Sequence, residues 1–435
     1  MKKNRYATII TATALTLGMA VQVQADSSNT IDNNILQELK TMIEQQQAQI
    51  NKQAAELTNL KEQLSGNTKA LTAKADKTEL VDQDVTKATE KIVTSRFSNV
   101  NLSLYGHVNK AVLFTDNGDS SDWFVVDNIN SQTRLGLKAA VDTGIGWVTA
   151  GRIEYGIVSN ASSDVNQLNN HDATSTNFKL RWAELSFKNA KFGKISLGKG
   201  DSASNNTAEI DLSGTTVASY AGIADMAGST LWYDNSTNTL SDIKIKNVFS
   251  DFDGLSRTDR LRYDTPSFGG FSLATSGSSG DAYDGALFFN RKYGETKVAT
   301  GLGVADPGDL KDGADVQYSG SASVLLPMGL NATFSAGYLD LEDGSRDDPT
   351  NWWGKLGYQT KFYDAATTSF SVEYGQTSDL RADGDEAETW GVAVVHNVTD
   401  WGTEFYMAYR GHQLDSEFGD YDDINTFWTG ARVKF

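Results

Sequence analysis

The residues of this 435-residue sequence that could do chemistry are charged, and they are spaced by two or four positions. Arg134 and Lys138 stand four apart, and Arg152 and Glu154 two apart around Ile153. Arg181 falls within the run 178–187, and Arg260 and Arg262 bracket Leu261. In an extended chain each of these sets shares one face. Apolar residues on the other face make that a wet wall, so the charges act as a fixed field on whatever passes rather than as bond-breaking groups. They could equally do no more than solvate a water-filled face. Acids that could oppose them, Glu209, Asp211 and Asp225, lie in the long segment 201–228.

Catalytic groupings are poor by comparison. There is no Cys, hence no thiolate nucleophile, disulfide scaffold or thiolate metal site. The four His (His107, His171, His396 and His412) are too scattered for a zinc site. Gly200-Asp201-Ser202 resembles the start of an esterase block but lacks its Leu and helical context. Gly144-x-Gly146 lacks a surrounding βαβ pattern. A hydrolase would need Ser or Asp beside a positioned His. The sequence therefore reads as a non-enzyme without cofactor or metal.

The elements that must position the charges have a period of two. Leu330, Ala332, Phe334, Ala336 and Tyr338 alternate with Asn331, Thr333, Ser335 and Gly337, and Phe427 to Phe435 alternates likewise. Such segments of about ten residues with aromatic ends are the signature of a transmembrane β-barrel, which must close because an open edge leaves backbone groups unpaired in hydrocarbon. A mean hydropathy of -0.40 fits strands with one aqueous face, and no run of 18 apolar residues is present to make a spanning helix. Connections alternate between short (142–144, 266–270, 327–329, 363–366, 399–402) and long and acidic (116–123, 159–176, 306–315, 342–349, 379–388, 415–423). The expected fold is all-β, a barrel of 16–18 antiparallel strands over 98–435, with eighteen the direct count. Lys110 and Glu184 break the alternation and need a bulge or burial at a subunit interface.

The N-terminus follows other rules. Basic Lys2, Lys3 and Arg5, an apolar run and Val23-Gln24-Ala25 make residues 1–25 a signal peptide. In 26–97 the apolar period is seven: Leu36, Ile43, Ile50, Leu57, Leu64, Leu71, Val85 and Ile92 at a, with Leu39, Leu60 and polar Asn67 among the d positions. A sustained heptad imposes a supercoil, so this α-helical segment is expected to be a coiled coil with other copies of the chain. The alternative is an amphipathic helix lying on its own domain.

Several strand motifs, in order along the chain, resemble those of the general Gram-negative trimeric porins. They are Tyr105-Gly106-His107-Val108-Asn109-Lys110-Ala111, Ser131-Gln132-Thr133-Arg134-Leu135-Gly136-Leu137-Lys138, Arg152-Ile153-Glu154-Tyr155, the run 193–200, and Arg262-Tyr263-Asp264-Thr265-Pro266 continuing to Phe271. The end, Gly430-Ala431-Arg432-Val433-Lys434-Phe435, resembles the family's assembly signal, with Phe435 terminal. The resemblance implies a sixteen-stranded barrel, a homotrimer in the cell outer membrane, and passive diffusion of small hydrophilic solutes. It further implies an inward-folded constriction loop at about 201–228, and a basic constriction wall that includes His107, Arg134 and Arg181. Asp234 stands where some relatives carry Arg, which weakens any expectation of strong anion selectivity. The heptad segment is similar to the periplasmic stalks of a subset that includes dicarboxylate channels, so selectivity for small anions is the alternative solute class.

Charge adds partners. The first 97 residues are close to neutral, so practically all of the net charge of -18 falls on the barrel and much of it on the long loops. An acidic rim suits divalent cations bridging lipopolysaccharide phosphates, or serves only solubility. The stalk is long enough to reach peptidoglycan, which would make the protein an envelope tether. Nothing points to nucleic acid.

Overall fold

The computed structural model describes residues 99–435, together with Thr41, Glu44, Ala48 and Asn51, which are helical. The signal peptide and the coiled-coil core positions Leu36, Leu39, Ile43, Ile50, Leu57, Leu60, Leu64, Asn67, Leu71, Val85 and Ile92 lie outside the described residues. The barrel belongs to a compact unit, Ala88–Phe435, separate from Met1–Lys87.

The strands are β1 (Asn101–Asp116), β2 (Ser121–Asp127), β3 (Arg134–Asp142), β4 (Trp147–Ile157), β5 (Phe178–Asn189) and β6 (Gly193–Asp201), followed by a hairpin, β7 (Leu231–Asp234) and β8 (Thr239–Lys244). Then come β9 (Arg257–Asp264), β10 (Phe271–Ser278), β11 (Ala282–Tyr293), β12 (Thr296–Asp306), β13 (Ala314–Leu325) and β14 (Leu330–Leu341). The last are β15 (Thr350–Tyr363), β16 (Ala366–Ser378), β17 (Glu386–Val398), β18 (Thr403–Asp415) and β19 (Ile424–Lys434). Each pairs antiparallel with its neighbour, β6 passes to β9, and β1 closes on β19, giving a sixteen-stranded closed barrel. The direct count of eighteen is thereby corrected. β7 and β8 form a separate two-stranded sheet inside a connection, and β2 and β3 both pair with β1, forming one stave broken by a turn at Ile129–Ser131.

Alternation explains which face is wet. On β14, Leu330, Phe334 and Tyr338 are exposed on the outside, while Asn331, Thr333 and Ser335 are buried within. The outward apolar residues are those a lipid-facing surface requires, and closure of β1 on β19 leaves the sheet without a free end, although the far edge of β2 meets only a single bridge, from Asp127 to Ala161. Connections at one barrel end are tight: Leu326 accepts from the Gly329 N–H, and Gly329, at φ +91°, lies so close to the Gln359 carbonyl that a side chain has no room. At the other end they are long, the longest running from residue 202 to 256 between β6 and β9 and folding into the barrel.

Candidate functional site

One wall of the lumen is built by β3, β4, β5 and β9. Register places Gly136 opposite Glu154 and Lys138 opposite Arg152, and the ring of Tyr105 lies over Gly136, where a Cβ would collide with it. Glu154 is fully buried. It accepts hydrogen bonds from Tyr105 Oη (2.7 Å), Arg152 Nη2 (2.6 Å) and Arg181 Nε (2.7 Å), with Arg134 Nη1 at 4.0 Å. Arg134 Nε also donates to the Gln132 carbonyl (3.0 Å), Arg181 Nη1 to Gln132 Oε1 (2.9 Å), and Arg257 Nε lies 2.9 Å from Asp201 Oδ1. One carboxylate thus holds several guanidiniums in place, and positive charge exceeds negative on this wall.

Arg181 owes its aim to a bulge. β4 and β5 pair Glu154 with Trp182 but Tyr155 with Leu180, so Arg181 is the extra residue. A bulge reverses the alternation beyond it. Arg181 and Trp182 both turn inward, with the Arg152 guanidinium 3.9 Å over the Trp182 ring, and Glu184 is brought inside against Arg260 Nη2 (2.7 Å). The Glu184 irregularity in the sequence is this bulge. Lys110 is accommodated differently: on the outer face, its Nζ pairs with Asp127 Oδ1 at 2.6 Å.

The long connection supplies the opposite side. A cavity of about 650 Å³ lies between the two, with Arg134, Lys179, Arg181 and Arg257 on the strand side. Glu209, Asp225, Asp251 and Asp253 face them from the connection. Among the described residues none of these bases forms an ion pair with any of these acids; opposite charges are held apart across the space. Asp253 accepts from the Asn206 and Ala208 N–H groups (2.7 and 2.8 Å), Asp225 from the Tyr220 hydroxyl, and Asp251 from the Asp253 N–H (3.2 Å). Burial, then repulsion from Asp253 and Asp251, pushes Glu209 well above the usual carboxylate range. Burial and then Asp251 raise Asp253 to about 7, and burial raises Asp225 to about 6.

The connection is fastened along its length. Ser321 Oγ and Ser323 Oγ accept from the N–H groups of Ile210 and Leu212, and Ser335 Oγ donates to the Ala208 carbonyl. Further on, a buried ion network from β15, β16 and β18 takes over. Lys355 Nζ reaches Asp211 Oδ2 (2.9 Å) and the Ser219 carbonyl (2.6 Å). Arg410 donates to Glu373 Oε1 (2.7 Å) and to the carbonyls of Tyr220 (2.6 Å) and Ile223 (3.0 Å). Beyond it Met226, Trp232, Ile243, Ile245 and Phe249 pack with Leu113, Phe124, Trp353 and Trp428 of the barrel wall into an apolar core inside the barrel. The connection is fastened as a partition, and the cavity is the space it leaves free.

The structure brings together Arg134, Arg181, Glu209 and Asp225 around one cavity, with Arg152 and Glu154 directly behind. Asp211 is elsewhere, clamped to Lys355. His107 Nε2 contacts the carbonyls of Ser131 (3.2 Å) and Gln132 (2.9 Å), bracing the turn before Arg134. Lys138 lies with its Nζ 5.0 Å over the Tyr105 ring. Arg260 donates to the carbonyls of Gly198 and Asp201, and Arg262 to Asp264 and the Ser202 carbonyl; both anchor the start of the connection. Asp251 and Asp253 escape a sequence reading that ends the segment at 228, and Lys179, on β5 beside Arg181, and Arg257, at the start of β9, are not singled out by it. Asp251 and Asp253 flank Phe252, which is buried, and that i, i+2 spacing of acids was the available signal.

The sequence profile of the Gram-negative porin family matches residues 70–415. No curated protein sequence matches the chain. The fold is similar to that of an anion-selective porin from Comamonas acidovorans (TM-score 0.52, 14% identity, 77% of this chain and 100% of that one). It is also similar to the outer-membrane protein OmpT of Vibrio cholerae (0.52, 14%, 79% and 100%) and to the outer membrane channel DcaP of Acinetobacter baumannii (0.50, 13%, 79% and 99%).

Proposed function

The chain belongs to the Gram-negative porin family, and from that premise we propose that small hydrophilic solutes cross it by passive diffusion through the cavity between the arginine wall and the acidic connection. The observation that carries this reading is the opposition of four bases and four acids across one cavity with no ion pair spanning it among the described residues. Inside a low-dielectric wall such a field acts on any dipole at the narrowest point and disfavours apolar solutes, which must displace oriented water. Arg152 and Glu154 set the wall behind it, and His107, Arg260 and Arg262 are positioning residues. Purified protein in planar bilayers should give discrete conductance steps, and neutralising Arg134 with Arg181 should shift reversal potentials toward cation preference. A protein that inserts without conducting would overturn the reading.

The same proposal includes a homotrimer with the short turns toward the periplasm. Residues 26–97 would form its stalk, supported by the heptad and by the helical state of Thr41, Glu44, Ala48 and Asn51, none of which occupies an a or d position. Exposed acids at the long-loop end, among them Asp309, Asp312, Asp343, Asp347, Asp383 and Asp415, support divalent-cation bridging to lipopolysaccharide. Chelation of divalent cations should then weaken binding of lipopolysaccharide to the purified trimer.

A further inference from the structure

The charges of the cavity are balanced, and the balance says which solutes it favours. Its lining carries four bases and four acids, formally neutral overall, yet segregated onto opposite sides. Charge segregated onto opposite sides, with no ion pair across the space between these residues and no net excess among them, is a poor trap for a simple ion. An anion drawn to Arg134 and Arg181 meets Glu209 and Asp253 across the space, and a dianion meets them twice over. A cation has the converse problem. No grouping of His, Asp or Glu suited to a metal ion occurs among the described residues, so the acids are not arranged as a cation cage.

A molecule carrying both charges meets neither objection. We propose that the cavity is a selectivity site for small zwitterions of the α-amino acid class, with the carboxylate toward Arg134, Arg181 and Arg257 and the ammonium toward Glu209, Asp251 and Asp253. Guanidiniums take a carboxylate through paired N–H donors, and an ammonium finds carboxylate acceptors from two stretches of the connection, Glu209 on one and Asp251 with Asp253 on the other. Glu209 makes no hydrogen bond or ion pair with the described residues and is available to a solute. A second observation points to a polar ligand: Asn130 lines the same cavity, and its Oδ1 and Nδ2 are both buried without a partner. An amide in the lining with an open donor and an open acceptor suits a solute that carries both an acceptor and a donor. The cavity, at about 650 Å³, has room for such a molecule together with water.

This inference rests on the porin reading and is separable from it. Full-length protein is reconstituted in liposomes, and swelling is followed in alanine and in lactamide, its uncharged isostere, at about pH 8.5, above the range in which Asp253 and Asp225 take up protons. Alanine is expected to enter several-fold faster than lactamide. Glu209→Gln with Asp253→Asn, and separately Arg134→Gln with Arg257→Gln, should bring the alanine-to-lactamide ratio close to one while lactamide entry persists, which also shows that the variants are folded. Equal entry of both solutes into wild-type liposomes overturns the inference and leaves the porin intact. A preference for alanine that survives both double variants overturns the assignment of the two walls. No entry of either solute would sink the porin reading and this inference together.

Discussion

Glu154 organises the positive side of the lumen although it is acidic. Buried and accepting from Tyr105, Arg152 and Arg181, it offsets part of the charge that would otherwise repel these guanidiniums from one another. Glu154→Gln should make the wall more positive, so reversal potentials move toward anion preference. It should also lower thermal stability, because removing one member of a buried charge network costs roughly 3–5 kcal/mol. Unchanged selectivity with lowered stability would mean that these arginines do not face the permeation path. The opposing acids give a pH dependence. With Asp253 raised to about 7 and Asp225 to about 6 by burial, these carboxylates take up protons as pH falls from 8 to 5. The acidic side loses negative charge while the guanidiniums keep theirs, so the ratio of cation to anion permeability should fall with pH, most steeply near 6 to 7. In Asp253→Asn with Asp225→Asn the remaining slope should be much smaller. Alternation made Arg134 and Glu154 legible as lumenal, since their faces follow from a period of two, whereas Arg181 was readable only through the family resemblance, because a bulge sets its face. Asp251 and Asp253 were not legible, because their place depends on how a long connection folds back.

The strands were readable as elements and the connection was not. A period of two identifies a stave, but it also fits β7 and β8, whose hairpin packs on an internal core instead of on the barrel edge. Nor does it expose the bulge at Arg181, which appears in sequence only as Glu184 out of phase. The network fastening the connection was equally hidden: Lys355, Glu373 and Arg410 sit on inward faces of three different strands, and only closure brings them to Asp211, Ser219 and Ile223. Their burial makes the network testable as a unit. Arg410→Met takes from buried Glu373 its 2.7 Å partner and leaves only the Lys355 ammonium, at 3.8 Å, to offset it, so it should destabilise by up to roughly 3–5 kcal/mol and free the connection, read as a lower heat-unfolding temperature and added low-frequency current noise. Adding Glu373→Leu removes the stranded carboxylate and should recover a large part of the heat stability, because replacing both partners by apolar groups is far less costly than removing one. Noise equal to wild type in Arg410→Met would show that the apolar core alone immobilises the connection.

At the scale of the molecule, function depends on closure, and closure is completed by the two ends of the barrel sequence. β1 runs along β19 from His107 opposite Lys434 to Asp116 opposite Asn425. Phe435 then adds one more pair: its N–H donates to the Gly106 carbonyl and its carbonyl accepts from the Gly106 N–H, both at 3.0 Å. Its ring crosses Gly106, where a Cβ would lie 2.4 Å from the Arg134 carbonyl oxygen and 2.9 Å from the ring. Gly106 therefore lets the ring and the β3 backbone approach β1 from two sides. The sequence reading treats Phe435 as an assembly signal, a role for the side chain in the cell; the geometry adds a backbone role. Deleting Phe435 removes two inter-strand hydrogen bonds and the ring, whereas Phe435→Ala removes the ring alone. In cells both variants should accumulate unassembled. Refolded in detergent, Phe435→Ala should keep heat-modifiable mobility close to wild type and the deletion should lose it at a lower temperature, since each backbone bond contributes about 0.5–1.5 kcal/mol. Gly106→Val should be the most severe, because β1 must shift where it meets β3 and β19 together, displacing Arg134 and opening the seam. If the deletion and Phe435→Ala unfold at the same temperature, the terminal residue acts on assembly only through its ring, and the barrel seam is already sealed by the pairs from His107 to Asp116.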